Sequence, residues 1–156
     1  TKPVLLFLHG SGQSHLTWVL QSRYFAHRGY AVLAPDLPGH GLSDGAPLTS
    51  IAEMADWVDE LLASLGVASA TIVAHSQGVL VALEAAKRHP KRITALALIA
   101  GAMAIPVNDM LIQWQKQHQM CCQEKTNVDN LLHVIYIVLL NASLYFFFYQ
   151  FQLDKH

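Results

Sequence analysis

The stretch Ala70-Thr71-Ile72-Val73-Ala74-His75-Ser76-Gln77-Gly78-Val79-Leu80-Val81-Ala82-Leu83-Glu84-Ala85-Ala86 decides the fold. Residues 70–74 are a short apolar run of the kind that forms a buried strand, and residues 79–86 read as a helix packed close to a sheet. Ser76 falls at the tight turn between them. A hydroxyl at that junction is lifted out of the backbone at a helix N-terminus, where free amides and the helix dipole favour negative charge. The small residues Ala74 and Gly78 flank the turn because larger side chains would collide with neighbouring backbone.

Outward from this stretch, strands alternate with helices. Residues 4–8 are an unbroken apolar run, read as a strand buried on both faces. A loop over residues 9–14 leads to a predicted helix over 15–27, with Leu16, Val19, Leu20 and Phe25 as its apolar positions and Gly29 as its stop. A second strand is predicted over 30–34, followed by a loop rich in Pro, Gly and Asp over 35–47. Ser50 and Glu53 form a capping box for a helix whose apolar face holds Ile51, Met54, Trp57, Val58, Leu61, Leu62 and Leu65. After the strand, serine and helix already quoted, Pro90 ends the helix and residues 93–99 form another apolar strand. This order predicts an α/β fold, a parallel sheet with helices on both faces. Ligand sites in such sheets lie beyond the carboxyl ends of the strands. The His9 loop, the Asp36 loop and Ser76 all fall there.

Composition narrows the function. The chain has 156 residues, 53% hydrophobic and 13% charged, so it can bury a real core. The net charge of −1 argues against nucleic acid as a partner. The only two cysteines, Cys121 and Cys122, are adjacent, so no disulfide framework is expected. The nine histidines form no metal-ligand motif, and neither a metal nor an organic cofactor is expected. No signal peptide precedes the first strand, so a cytoplasmic location is expected.

Three motifs carry a resemblance: Leu8-His9-Gly10-Ser11-Gly12, Asp36-Leu37-Pro38-Gly39-His40-Gly41-Leu42-Ser43 and Ala74-His75-Ser76-Gln77-Gly78. In this order and on these elements, residues 4–107 resemble the α/β-hydrolase fold family, with Ala74 at the first small position of the G-x-S-x-G turn. The resemblance implies a serine hydrolase of esterase or acyl-hydrolase type, acting on a small-molecule acyl substrate through an acyl-serine intermediate. It implies Ser76 as nucleophile and the amides of Gln77 and Ser11 as the oxyanion hole, with His9, Gly10, Gly12, Asp36 and Gly78 shaping the site. Serine at position 76 separates the chain from relatives such as haloalkane dehalogenases and epoxide hydrolases, which use aspartate there. Two oxyanion donors matter energetically, since removing one costs ~3 kcal/mol in reactions of this kind. Among the other residues, His75 is expected to pack, His9 to fix its loop by hydrogen bonding, and Asp36 and His40 to shape their loop through local backbone bonds. Trp18 and Trp57 are read as core.

In the family the serine is followed by an acid and then a histidine on loops after later strands, and no such strands are read here. The chain is accordingly expected to hold an incomplete α/β-hydrolase core over residues 1–107 and an atypical segment over 108–156. Asp109, Asp129 and Asp154 are available acids there, and His118, His133 and His156 available bases. Residues 101–107 look like the lead into a cap. Residues 131–151 are long enough to span a bilayer, but His133, Asn141, Ser143 and Gln150 count against it. A replaced tail, or a helix covering the sheet, is the preferred reading of that segment. The alternative to an active hydrolase is an inactive fragment or binding module, self-associating through an exposed sheet edge.

Overall fold

The computed structural model describes residues 2–101 together with two strands at 134–137 and 149–150. Six strands form one sheet in the order β2-β1-β3-β4-β5-β6. They are β1 Val4–Leu8, β2 Ala31–Leu33, β3 Ala70–His75, β4 Ile93–Ile99, β5 Val134–Ile137 and β6 Tyr149–Gln150. The first five pair in parallel, and β6 runs antiparallel to β5. The helices are α1 Val19–His27, α2 Ile51–Ser64 and α3 Gln77–Arg88.

Strand alternation sorts the apolar residues onto two faces of the sheet. On one face, Leu6, Leu8, Ile72, Ala74, Leu96 and Leu98 pack with Met54, Val58 and Leu62 of α2 and Leu80 and Leu83 of α3. The opposite face carries a smaller cluster of Leu5, Phe7 and Trp18, with Phe25, Val32, Val73 and Ile99 beside it. Phe7 meets the rings of Trp18 and Phe25 at 5.1 and 6.1 Å between centroids. The sheet therefore has helices on both faces, as the alternating pattern predicts, and Trp18 is buried while Trp57 packs partly buried against the larger cluster.

Two expectations are corrected. The predicted helix over 15–27 opens instead as a 3-10 turn, His15–Trp18, before α1 begins. The tighter winding rotates the side-chain stripe. Trp18 and Phe25 then face the sheet, and Leu16, Val19 and Leu20 are exposed. The second correction concerns residues 108–156, where no strand was read. Residues 134–137 pair with β4, Leu96 opposite Val134 through Ile99 opposite Ile137, and residues 149–150 extend the same sheet. Within 131–151 the described residues are these two strand segments. No helix among the described residues is long and apolar enough to cross a membrane. The adjacent cysteines and the acids and bases named beyond residue 101 lie outside the described residues.

The capping box is present in full. The Ser50 hydroxyl accepts the Glu53 amide at 3.2 Å, and the Glu53 carboxylate accepts the Ser50 and Thr49 amides. Bonds from Thr49, then Ser50, hold the Glu53 carboxyl below its ordinary value. At the other end of the helix pair, the Arg88 guanidinium of α3 forks onto Asp56 of α2, and Arg92 bonds Asp59 and the Val67 carbonyl. These pairs are half exposed and orient α2 on α3 more than they stabilise it. Ser50→Ala is expected to cost about 1 kcal/mol through loss of the cap. Urea denaturation, read as a fall in midpoint with unchanged slope, checks this.

Candidate active site

The turn at Ser76 has a backbone that few serines adopt, with φ 53° and ψ −119°. Ordinary N-cap serines are extended and use the hydroxyl to accept an amide of the first turn. Ser14 and Ser50 do so in this same chain, at φ −148° and −136°. Ser76 does neither: its φ is positive and its hydroxyl makes no capping bond. The hydroxyl is thereby left out of the helix network. The turn is held by backbone bonds, Ser76 N–H to the Ile99 carbonyl at 3.1 Å and Val79 N–H to the Ser76 carbonyl at 3.0 Å.

The small residues around the turn are set by close approach. A Cβ on Gly78 would stand 2.8 Å from the carbonyl oxygens of both Leu8 and His9, so α3 begins directly against the end of β1. A Cβ on Gly10 would stand 2.9 Å from the Ser76 Cβ, which places the loop after β1 against the serine. Ala74 is fully buried. On the β4 side, Ala100 has φ 49°, and a Cβ on Gly101 would overlap the Val79 side chain at 2.5 Å.

The loop after β1 closes as a turn. Gln13 N–H donates to the Gly10 carbonyl at 3.2 Å, and Gly12 takes the positive φ of 66° that the third position of a type II turn requires. His9, fully buried, links this loop to the next one. Its Nε2 accepts the Leu37 amide at 3.1 Å, so Nδ1 carries the proton and donates to the Gly10 carbonyl at 2.9 Å. Burial lowers the pKa of this imidazole, and the bond accepted by Nε2 from Leu37 needs its neutral form.

Asp36 fastens the Asp36–Ser43 loop. Its carboxylate accepts the His15 amide at 2.5 Å, the His15 ring nitrogen at 2.8 Å and the Leu42 amide at 2.8 Å, and its carbonyl accepts the Ser43 hydroxyl at 2.7 Å. Burial alone would raise the Asp36 carboxyl. The Leu42 and His15 bonds outweigh it and hold the group below its ordinary 3.8. The anchor reaches 21 residues back along the chain to His15, farther than the local bonds expected of it. His40 donates from Nδ1 to the Pro38 carbonyl and lies beside His9, their rings 5.5 Å apart.

The residues singled out in the sequence thus converge on one edge of the sheet: Gly10 touches Ser76, Gly78 touches His9, and His9 touches Leu37 beside Asp36. Ser11 follows Gly10, half-buried. Gln77 is buried, and neither atom of its carboxamide has a hydrogen-bond partner among the described residues. Sequence reasoning missed two participants. Gln13 bonds His75 across 62 positions, and His15 joins Asp36. No local signal marks either contact, because each is made only when two loops meet. Among the described residues, no histidine hydrogen-bonds the Ser76 hydroxyl.

A parallel sheet with a strained serine between strand and helix, faced by a glycine loop from the first strand, defines a hydrolase core of the α/β class. The chain belongs to the α/β-hydrolase fold family, whose model matches residues 3–124. It is similar to a pimeloyl-[acyl-carrier protein] methyl ester esterase of Aromatoleum aromaticum, 38% identical over 98 residues, 63% of this chain and 37% of that protein. It is also similar to an epoxide hydrolase of Caballeronia sordidicola, 35% identical over 98 residues, 60% of this chain and 30% of that protein. Among solved structures, a hydrolase from Pseudomonas aeruginosa matches with a TM-score of 0.64 and 28% identity, over 74% of this chain and 43% of the other. The chain spans about a third of the length of these curated relatives, 37% and 30%.

Two outcomes test the site's construction. Gly78→Ala drives a methyl into two backbone carbonyls and is expected to cost about 1–3 kcal/mol, read by urea denaturation. The second concerns His9. Its pKa lies below the ordinary 6.5, so the folded state binds a proton less readily than the unfolded one. Its contribution to stability is complete above pH 6.5 and declines as pH falls toward the lowered folded value. The stability gap between wild type and His9→Asn should therefore be widest above pH 6.5 and narrow on acidification. A gap that widens in acid contradicts the neutral assignment.

Proposed function

We propose that the chain is a serine hydrolase of esterase or acyl-hydrolase type, with Ser76 as nucleophile. The observation that carries this reading is the serine's positive φ with its hydroxyl unspent on helix capping. In the proposed reaction the Ser76 Oγ attacks the acyl carbon while its proton passes to a base. The carbonyl oxygen becomes an oxyanion facing the amides of Gln77 and Ser11. The base returns that proton to the leaving oxygen as the intermediate collapses, which expels the alcohol and leaves an acyl-serine; water then attacks, its proton passing through the base to Ser76 Oγ, and the acid is released.

The parts needed for the first step support this order. The Gln77 amide is at the first turn of α3, whose dipole favours charge developing there. Gly10 seats the Ser11 loop against Ser76. Serine rather than aspartate at position 76 favours acyl over alkyl-ester chemistry. The esterase among the relatives supports the same class of substrate.

One observation favours a second reading, a binding module without catalysis: no histidine among the described residues bonds Ser76. The two are separated with a fluorophosphonate probe on the intact chain. Covalent labelling that is abolished by Ser76→Ala is the result expected of a hydrolase. Absence of labelling, beside robust labelling of a full-length esterase, leaves the binding module.

A further inference from the structure

Gln13 stands outside the three motifs, yet its carboxamide oxygen is where two of them meet. That oxygen accepts the Gly10 amide at 3.0 Å. The same oxygen lies 3.2 Å from His75 Nδ1, in the residue before Ser76. The chemistry fixes the roles. The Gly10 N–H can only donate, so the atom facing it is the oxygen and not the amide nitrogen of Gln13. The oxygen can only accept, so His75 Nδ1 carries the proton. A carbonyl oxygen has two lone pairs, one for each donor.

The contact at this point is otherwise a wall. Gly10 approaches Ser76 so closely that a Cβ there would lie 2.9 Å from the Ser76 Cβ, 3.1 Å from Gln13 Oε1 and 3.3 Å from His75 Nδ1. The turn from Gly10 to Gln13 closes through its own backbone bond, which sets the loop's shape and not its distance from Ser76. Among the described residues, the Gln13 oxygen supplies the hydrogen bonds that tie the loop's Gly10 to the strand end carrying Ser76. It joins residues 62 positions apart in the sequence.

From this we infer that Gln13 is a positioning residue: its one oxygen clamps the Gly10–Ser11 loop to His75 and so sets the spacing between the Ser11 amide and the Ser76–Gln77 turn. The inference rests on the reading of Ser11 and Gln77 as oxyanion donors. Gln13 itself touches no reacting atom. Displacement of a donor by about an ångström is enough to lower a rate ~10²-fold.

The test uses the intact chain and three variants. Gln13→Leu removes the acceptor at similar volume, Gln13→Asn keeps an amide but shortens its reach, and Gln13→Glu keeps an oxygen at the same reach. Two measurements do not need activity: the His75 tautomer, from long-range 15N–1H correlation of the imidazoles, and the hydrogen-exchange rate of the Gly10 amide. Wild type and Gln13→Glu should hold the Nδ1–H tautomer with slow Gly10 exchange. Gln13→Leu and Gln13→Asn should shift His75 toward Nε2–H and speed Gly10 exchange. The rate of Ser76 labelling by the fluorophosphonate should fall about tenfold or more in these two, through the maximal rate and not through probe affinity, and recover in Gln13→Glu. Unchanged tautomer and exchange in both Gln13→Leu and Gln13→Asn overturn the clamp. Changed tautomer and exchange with an unchanged labelling rate overturn its positioning role. If wild type itself is not labelled, the nucleophile reading falls, and the clamp still stands or falls on the tautomer and exchange results.

Discussion

The structure depends on one backbone constraint, the left-handed turn at Ser76. A residue with a Cβ in that region carries a cost of about 1–3 kcal/mol, and the surroundings must hold it there. They do so from three sides. The Ile99 carbonyl takes the Ser76 amide, α3 begins at once on the far side, and the end of β1 fills the space that a larger residue at position 78 would need. Neither strand could supply this alone. Parallel pairing of β3 with both β1 and β4 brings the three chain segments to the same level at their carboxyl ends.

Around that turn the loops are joined by buried and half-buried polar side chains rather than by apolar packing. His9 bonds the Leu37 amide, Asp36 bonds the His15 and Leu42 amides, and Gln13 bonds Gly10 and His75. Each side chain satisfies backbone amides that a loop cannot pair internally, which is the condition for bringing irregular chain close to a core. The apolar work is done below, where α2 and α3 cover one face with aliphatic side chains and Trp18 and Phe25 cover the other with aromatic ones. The rim is thus fixed by hydrogen-bond geometry and the base by packing.

Much of this was legible in the sequence because the signals are local. The apolar runs at 4–8, 70–74 and 93–99 gave strands within a residue or so of those observed, and Ser50 with Glu53 announced the start of α2. The place of Ser76 between strand and helix followed from the residues on either side. What escaped was non-local. The face of α1 depends on a 3-10 turn that periodicity at 3.6 residues cannot anticipate, and of the apolar positions read there Leu16, Val19 and Leu20 are exposed. The strands at 134–137 and 149–150 lie in an apolar stretch whose period suits neither strand nor helix decisively. Their pairing with β4 is a contact between distant parts of the chain. The His15–Asp36 and Gln13–His75 bonds belong to the same kind, each needing two loops already in place.

The exit from β4 shares the crowding of the serine turn. Ala100 adopts a positive φ, and Gly101 lies so near Val79 that any side chain there would press on the first turn of α3. Strand and helix are therefore geared together at this corner. A shove delivered to the chain as it leaves the sheet would be felt, through a single valine, by the residues that hold Ser76 and Gln77 in place.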